Sequence, residues 1–88
     1  MKLYKEIEKI LPLIESLLTE EKLLEFINTR ISDLYIYYFG MGTWIRDSFL
    51  YADESVLHNL FLENGIEHPD DMSAFIIGLF HYYISKKR

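Results

Sequence analysis

His68, Asp70 and Asp71 place three metal-ligating or proton-moving side chains within four positions, and His58 and His81 are the other two histidines of the chain. A metal centre needs three or four such groups converging on one point. Asp70 and Asp71 are adjacent, however, so on a helix their side chains diverge by about 100°. We therefore favour a structural role, in which His68 caps a helix or its neighbour and the aspartates serve the helix dipole. A small metal-dependent hydrolase built on His68 and Asp71 is the lesser alternative; neither a metal nor another cofactor is expected. Nucleophilic catalysis has less support still. There is no cysteine, and no serine lies in an elbow between a strand and a helix. Glu20-Glu21 and Asp53-Glu54 are paired carboxylates, but both pairs fall where helices begin. An enzyme is not expected.

Arg46 is the remaining candidate, one of only two arginines between positions 10 and 85. It could bind an anion. The reading we favour has its fork pairing bidentately with Asp70 or Asp71, which would tie the middle of the chain to the last helix. Gly40-x-Gly42 with no strand before it is a weak phosphate signal.

The element that must position these groups begins at Gly65-Ile66-Glu67-His68-Pro69-Asp70-Asp71-Met72-Ser73. Gly65 can take the left-handed conformation that ends a helix, with Ile66 folding back on its last turn. Pro69 suits the first position of a new helix, and Asp70 and Asp71 suit its first turn. That helix is predicted to bury Met72, Phe75, Ile76, Leu79, Phe80 and Tyr83. Ala74 and Gly78 would let another helix approach.

Upstream, Leu3, Ile7, Ile10, Leu11, Ile14, Leu17 and Leu18 recur at helical spacing through Pro12. One kinked helix is favoured over two short ones. Thr19 caps the next helix, whose stripe of Leu23, Leu24, Ile27, Ile31, Leu34, Tyr35 and Tyr38 predicts about five turns ended by Gly40 and Gly42. A short helix is predicted over residues 43–49. Asp53 or Ser55 would cap another, carrying Val56, Leu57, Leu60 and Phe61. No strand alternation occurs. The expectation is one all-α domain over residues 1–88, a compact bundle of four to five helices.

Half of the 88 residues are hydrophobic and 16% are aromatic, so a core can form without disulfides. The net charge of −5 is unevenly spread: between positions 10 and 85, Lys22, Arg30 and Arg46 face twelve carboxylates, a balance of −9. Such a body repels nucleic-acid phosphates and attracts basic surfaces. No signal peptide is visible, and no uncharged stretch reaches the roughly 20 residues that span a bilayer. A cytoplasmic protein without membrane contact is the default.

Gly42-Thr43-Trp44-Ile45-Arg46 followed by the 65–73 string resembles a family of small bacterial proteins described only as a domain of unknown function. In that family a Gly-x-x-Ile-Arg turn precedes Gly-Ile-x-His-Pro-Asp-Asp-Met-Ser and a closing aromatic helix. The resemblance covers the second half of the chain and departs from the pattern at Asp47, where the family has Asn. It implies a bacterial or phage origin and supplies no catalytic residue.

The aromatic run 34–39 suggests a binding face, because a helix buries only about half its circumference. With Leu34, Tyr35 and Tyr38 inward, Tyr37 would point to solvent, as would Tyr82 on the last helix. Tyrosine is a frequent interface anchor. The expected function is thus a non-enzymatic acidic protein-binding module, an inhibitor or immunity-type protein of a bacterium or phage. Tyr37 and Tyr82, with Glu20, Glu21, Glu25 and Asp33, would meet a basic, nucleic-acid-handling protein. A homodimeric structural or adaptor protein is the alternative.

Overall fold

Pro12 does not divide the first helix. In the computed structural model, which describes residues 2–51 and 55–87, α1 runs unbroken over Lys2–Ser16. Leu3, Ile7, Leu11 and Ile14 are all buried on its inner face, while Pro12 and Glu8 are exposed. The helical bond that Pro12 cannot make, to the Glu8 carbonyl, is thus missing on the exposed side of α1.

Helix α2 (Glu20–Ile27) starts as expected, with the Thr19 hydroxyl accepting from the Lys22 amide at 3.2 Å. It ends far earlier than the apolar stripe implied. Asn28 caps it, Arg30 is extended, and residues Ile31–Tyr37 form a 3₁₀ segment. Gly40 and Gly42 do not end a helix; they lie inside the next, α3 (Gly40–Ile45). From α3 the chain continues into a π-helical turn, Arg46–Leu50, closed by the Tyr51 amide donating to the Arg46 carbonyl at 3.0 Å. Of the two candidate caps for the following helix, Asp53 lies outside the described residues. Ser55 does the work, accepting from the His58 amide at 3.1 Å at the start of α4 (Val56–Glu63).

The stop and restart after α4 are as the sequence dictates. Gly65 has φ +81°, its amide donates to Leu62 and that of Ile66 to Phe61, the paired bonds of a left-handed helix stop. Pro69 then opens α5 (Pro69–Lys87), whose first full backbone bond runs from the Met72 amide to the His68 carbonyl. Gly65→Val is expected to cost about 1–2 kcal/mol in a urea titration, because a β-branched residue resists positive φ. Gly65→Asn should cost less. Equal losses would mean that packing, not backbone conformation, selects glycine there.

Helix α5 is the post around which the others stand, touching α1, α2, the 3₁₀ segment, α3, the π turn and α4. It accordingly buries Met72, Ser73, Ile76, Ile77, Phe80 and Ile84, more than one face of a helix. Ile77 and Ile84 were not expected inside; Phe75, Leu79 and Tyr83 are only partly covered. Gly78 is exposed, with no atom near where a Cβ would stand, so it admits no neighbouring helix. The close approach occurs instead at Gly42, against Ser73 and Ile77. At the far end Lys87 and Tyr83 both reach Glu15, and the hydrogen bond to that carboxylate holds the Lys87 ammonium above its usual pKa. The fold is an all-α bundle of five α-helices, a 3₁₀ segment and a π turn among the described residues. No helix among them is long and apolar enough to cross a membrane.

Candidate functional site

The two motif strings meet in space. Arg46, at the end of α3, donates from Nη1 to the Ser73 hydroxyl at 2.8 Å and from Nη2 to the Thr43 hydroxyl at 2.9 Å. Ser73 is fully buried in the second turn of α5 and donates onward to the Asp70 carbonyl at 3.0 Å. Asp70 faces Arg46 at 3.4 Å with one carboxylate oxygen. The expected pairing of Arg46 with Asp70 thus forms, but not as a bidentate fork, and Asp71 takes no part in it. A Cβ on residue 42 would stand 3.1 Å from Nη1, so Gly42 leaves the space that the guanidinium fills. Two hydroxyls, invisible as partners in the sequence, do most of the holding.

This arrangement makes a prediction. The Asp70 side chain is 85% exposed, whereas that of Arg46 is 12% exposed. Exposed ion pairs contribute about 0–1 kcal/mol, and hydrogen bonds from a covered charged group more. Asp70→Asn should therefore cost less than about 0.5 kcal/mol, and Arg46→Met about 1–2 kcal/mol. Equal costs by urea titration would return the ion pair to the leading role.

The histidines go to three different places. The His68 ring is exposed, and only its backbone carbonyl serves α5. His58 Nδ1 lies 2.9 Å from the Leu50 carbonyl, fastening α4 to the π turn. His81 Nε2 lies 3.1 Å from the Thr29 carbonyl, and its ring meets Phe26 edge-on. Among the described residues no three of His, Cys, Asp and Glu gather closely enough to hold a metal ion.

The aromatic run is turned the other way from expectation. Tyr37 is half-buried: its ring packs edge-on against Phe26 at 4.8 Å and its hydroxyl lies 3.3 Å from the Thr29 hydroxyl. Tyr35 is 62% exposed and Tyr38 38%. The cause is the helix type. A 3₁₀ turn holds three residues, so Tyr37, three beyond the buried Leu34, follows it inward. With α-helical spacing Tyr38 would have done so. Tyr82 is exposed as expected, with the Lys86 ammonium 5.4 Å from its ring centre.

What results is a ridge. Ile31, Tyr35, Ile36, Tyr38 and Phe39 all stand exposed within nine residues, Phe39 at 88%. Asp33 is exposed on the same segment. Only the clustering of aromatics at 34–39 signalled this ridge; Ile31, Tyr35 and Tyr38 were expected on the buried stripe, and Ile36 and Phe39 were not picked out as its members. Two hollows flank it. One, of about 310 Å³, is lined by Tyr35, Tyr38, Phe39, Arg46 and Asp70. The other, of about 580 Å³, is an apolar groove between the end of α1, α2 and α3, with Tyr37 in its wall. Glu20, Glu21 and Glu25 are exposed on α2, and Glu25 lies 3.6 Å from Lys22.

These features define a small all-α domain with an uncovered aromatic ridge and a covered arginine joining two helices. The chain belongs to a family known as a domain of unknown function (DUF6794), whose family model matches residues 5–84. No curated protein and no solved structure matches it.

Proposed function

We propose that this protein is a non-enzymatic protein-binding module, an inhibitor or immunity-type protein of a bacterium or phage. Its partner is a basic, nucleic-acid-handling protein met in the cytoplasm. The observation that carries this reading is the ridge of Ile31, Tyr35, Ile36, Tyr38 and Phe39, exposed while Leu34 of the same segment is buried in the core. Contiguous exposed apolar side chains in a soluble fold mark interaction surfaces, and aromatics are enriched among binding hot spots. The −9 balance over residues 10–85 supplies the complementary charge. It also disfavours direct contact with nucleic acid.

A homodimer would cover the same ridge, though each copy brings a net charge of −5 to the encounter. The test uses tagged protein in a lysate of the encoding bacterium, at about 0.15 M and about 0.5 M salt. Wild type is compared with an Ile36→Ser, Phe39→Ser double variant. The expected result is one basic protein, named by mass spectrometry, held by wild type at low salt and lost on either change. A captured protein indifferent to both changes, or a stable dimer in sedimentation that the double variant dissolves, would overturn the reading.

A further inference from the structure

Asn64 to His68 are all that joins α4 to α5, and this link opens with an Asn-Gly pair whose two residues are exposed. Asparagine is a chemically labile residue. Glycine after it removes the main obstacle to loss of the side-chain amide, because no Cβ shields the following nitrogen. Around Gly65 no atom stands within 4 Å of where a Cβ would be. The other two asparagines, Asn28 and Asn59, precede Thr29 and Leu60, whose side chains shield that nitrogen. The folded turn nevertheless withholds Asn64 from reaction. Its Nδ2 donates to the Leu60 carbonyl at 2.7 Å, which draws the side chain back along α4. The Gly65 amide donates to the Leu62 carbonyl at 3.1 Å and that of Ile66 to Phe61 at 3.0 Å. Ring closure needs the Gly65 nitrogen to eclipse the Asn64 Cβ about the Cα–C bond. At ψ 13° it eclipses the nitrogen of Asn64 itself instead.

We infer that Asn64 is a deamidation site kept closed by the left-handed stop, and that it reacts from the opened turn. There the Gly65 nitrogen gives its proton to hydroxide and attacks the Asn64 Cγ. The N–Cγ bond forms, the Cγ–Nδ2 bond breaks, and ammonia leaves with a proton taken from water, which returns the hydroxide. Water then opens the five-membered imide at either carbonyl, giving aspartate or iso-aspartate. The net exchange is asparagine and water for an acid and ammonia, with nothing oxidised or reduced. Both products injure the stop. Aspartate turns a carboxylate toward the Leu60 carbonyl that Nδ2 served, beside Glu63 and at the negative end of α4. Iso-aspartate lengthens the main chain by a methylene and takes the Gly65 and Ile66 amides out of register with their acceptors. Loss of ammonia is irreversible, so the turn records how long and how often it has been open.

The experiment ages freshly purified protein in warm, mildly alkaline buffer, with and without guanidinium chloride above the unfolding midpoint. Peptides are then sequenced by mass spectrometry, which reads the exchange of NH for O at each asparagine. The expected result is conversion at Asn64 at least about ten-fold faster in the unfolded chain than in the folded one. Asn28 and Asn59 should stay intact over the same period. Two variants test the closure and the chemistry. Ile66→Ser keeps the Asn-Gly pair but removes the apolar side chain that folds back on α4, so conversion in the absence of denaturant should rise at least about three-fold. Asn64→Gln should not convert under either condition, because its longer side chain disfavours ring closure. Asn64→Asp, which reproduces one product, should unfold at a lower urea midpoint than wild type. Equal rates at Asn64 in folded and unfolded protein would overturn the closure, and an intact Asn64 in the unfolded chain would overturn the site. An Asn64→Asp midpoint equal to that of wild type would overturn the damage ascribed to the product. Should Ile66→Ser fail to fold, the comparison of folded with unfolded wild type still decides the closure.

Discussion

Tyr37→Ala is expected to cost the domain about 2–4 kcal/mol, while Tyr35→Ala, two residues away, should change stability by less than about 0.5 kcal/mol. Removing a fully buried phenylalanine ring costs about 3–5 kcal/mol. Tyr37 is half-buried, so the lower part of that range applies, but its ring also loses the edge-on contact with Phe26, itself fully buried against Phe80. Tyr35 leaves no cavity, because its side chain already stands in solvent. A urea titration of both variants decides the matter, through the midpoint at constant slope. Tyr37→Phe isolates the hydroxyl and should cost less than about 1 kcal/mol, since the 3.3 Å approach to Thr29 is a long hydrogen bond. Should Tyr35→Ala prove the damaging change, the segment would have α-helical rather than 3₁₀ spacing.

That pair of tyrosines shows where the sequence stops being readable. Gly65, Pro69 and the caps at Thr19 and Ser55 act through their own backbone or their nearest neighbours, so their roles are visible in the string. The end of α2 is different. Asn28-Thr29 is a weak stop lying within an unbroken apolar stripe. What fixes the chain there is contact from elsewhere: His81, 52 residues on, reaches the Thr29 carbonyl. Once the chain leaves the α-helix, every inward and outward assignment after it changes. Helix α5 misled in another way, because a helix surrounded by all the others has little solvent face to reveal its period. At the candidate site the Arg46–Asp70 pair was legible, since Arg46 is one of only three cations between positions 10 and 85 and the two motif strings flank it. Ser73 and Thr43 were not, because a hydroxyl can serve a helix cap, a backbone carbonyl or a distant guanidinium with equal ease.

The largest effect on binding should come from Phe39, and it should appear in one rate constant only. With the partner in hand, Phe39→Ala is expected to raise the dissociation rate by more than about thirty-fold, the equivalent of a hot spot worth about 2 kcal/mol or more. Its association rate should stay within about three-fold of wild type. The reason lies in its exposure: a ring that is 88% uncovered contributes little to the fold and has its whole surface to lose to a partner. Salt should act on the other rate. The carboxylates attract a basic partner over distances beyond contact, and ions screen that attraction over a Debye length of about 8 Å at physiological strength. Raising salt from about 0.05 M to about 0.5 M should thus slow association about ten-fold or more and alter dissociation little. Because ring burial and long-range attraction act at different stages of the encounter, the two effects should multiply independently when combined. Association indifferent to salt would reduce the acidic surface to a solubilising coat. A Phe39→Ala complex that dissociates at the wild-type rate would place the contact elsewhere than on the 3₁₀ ridge.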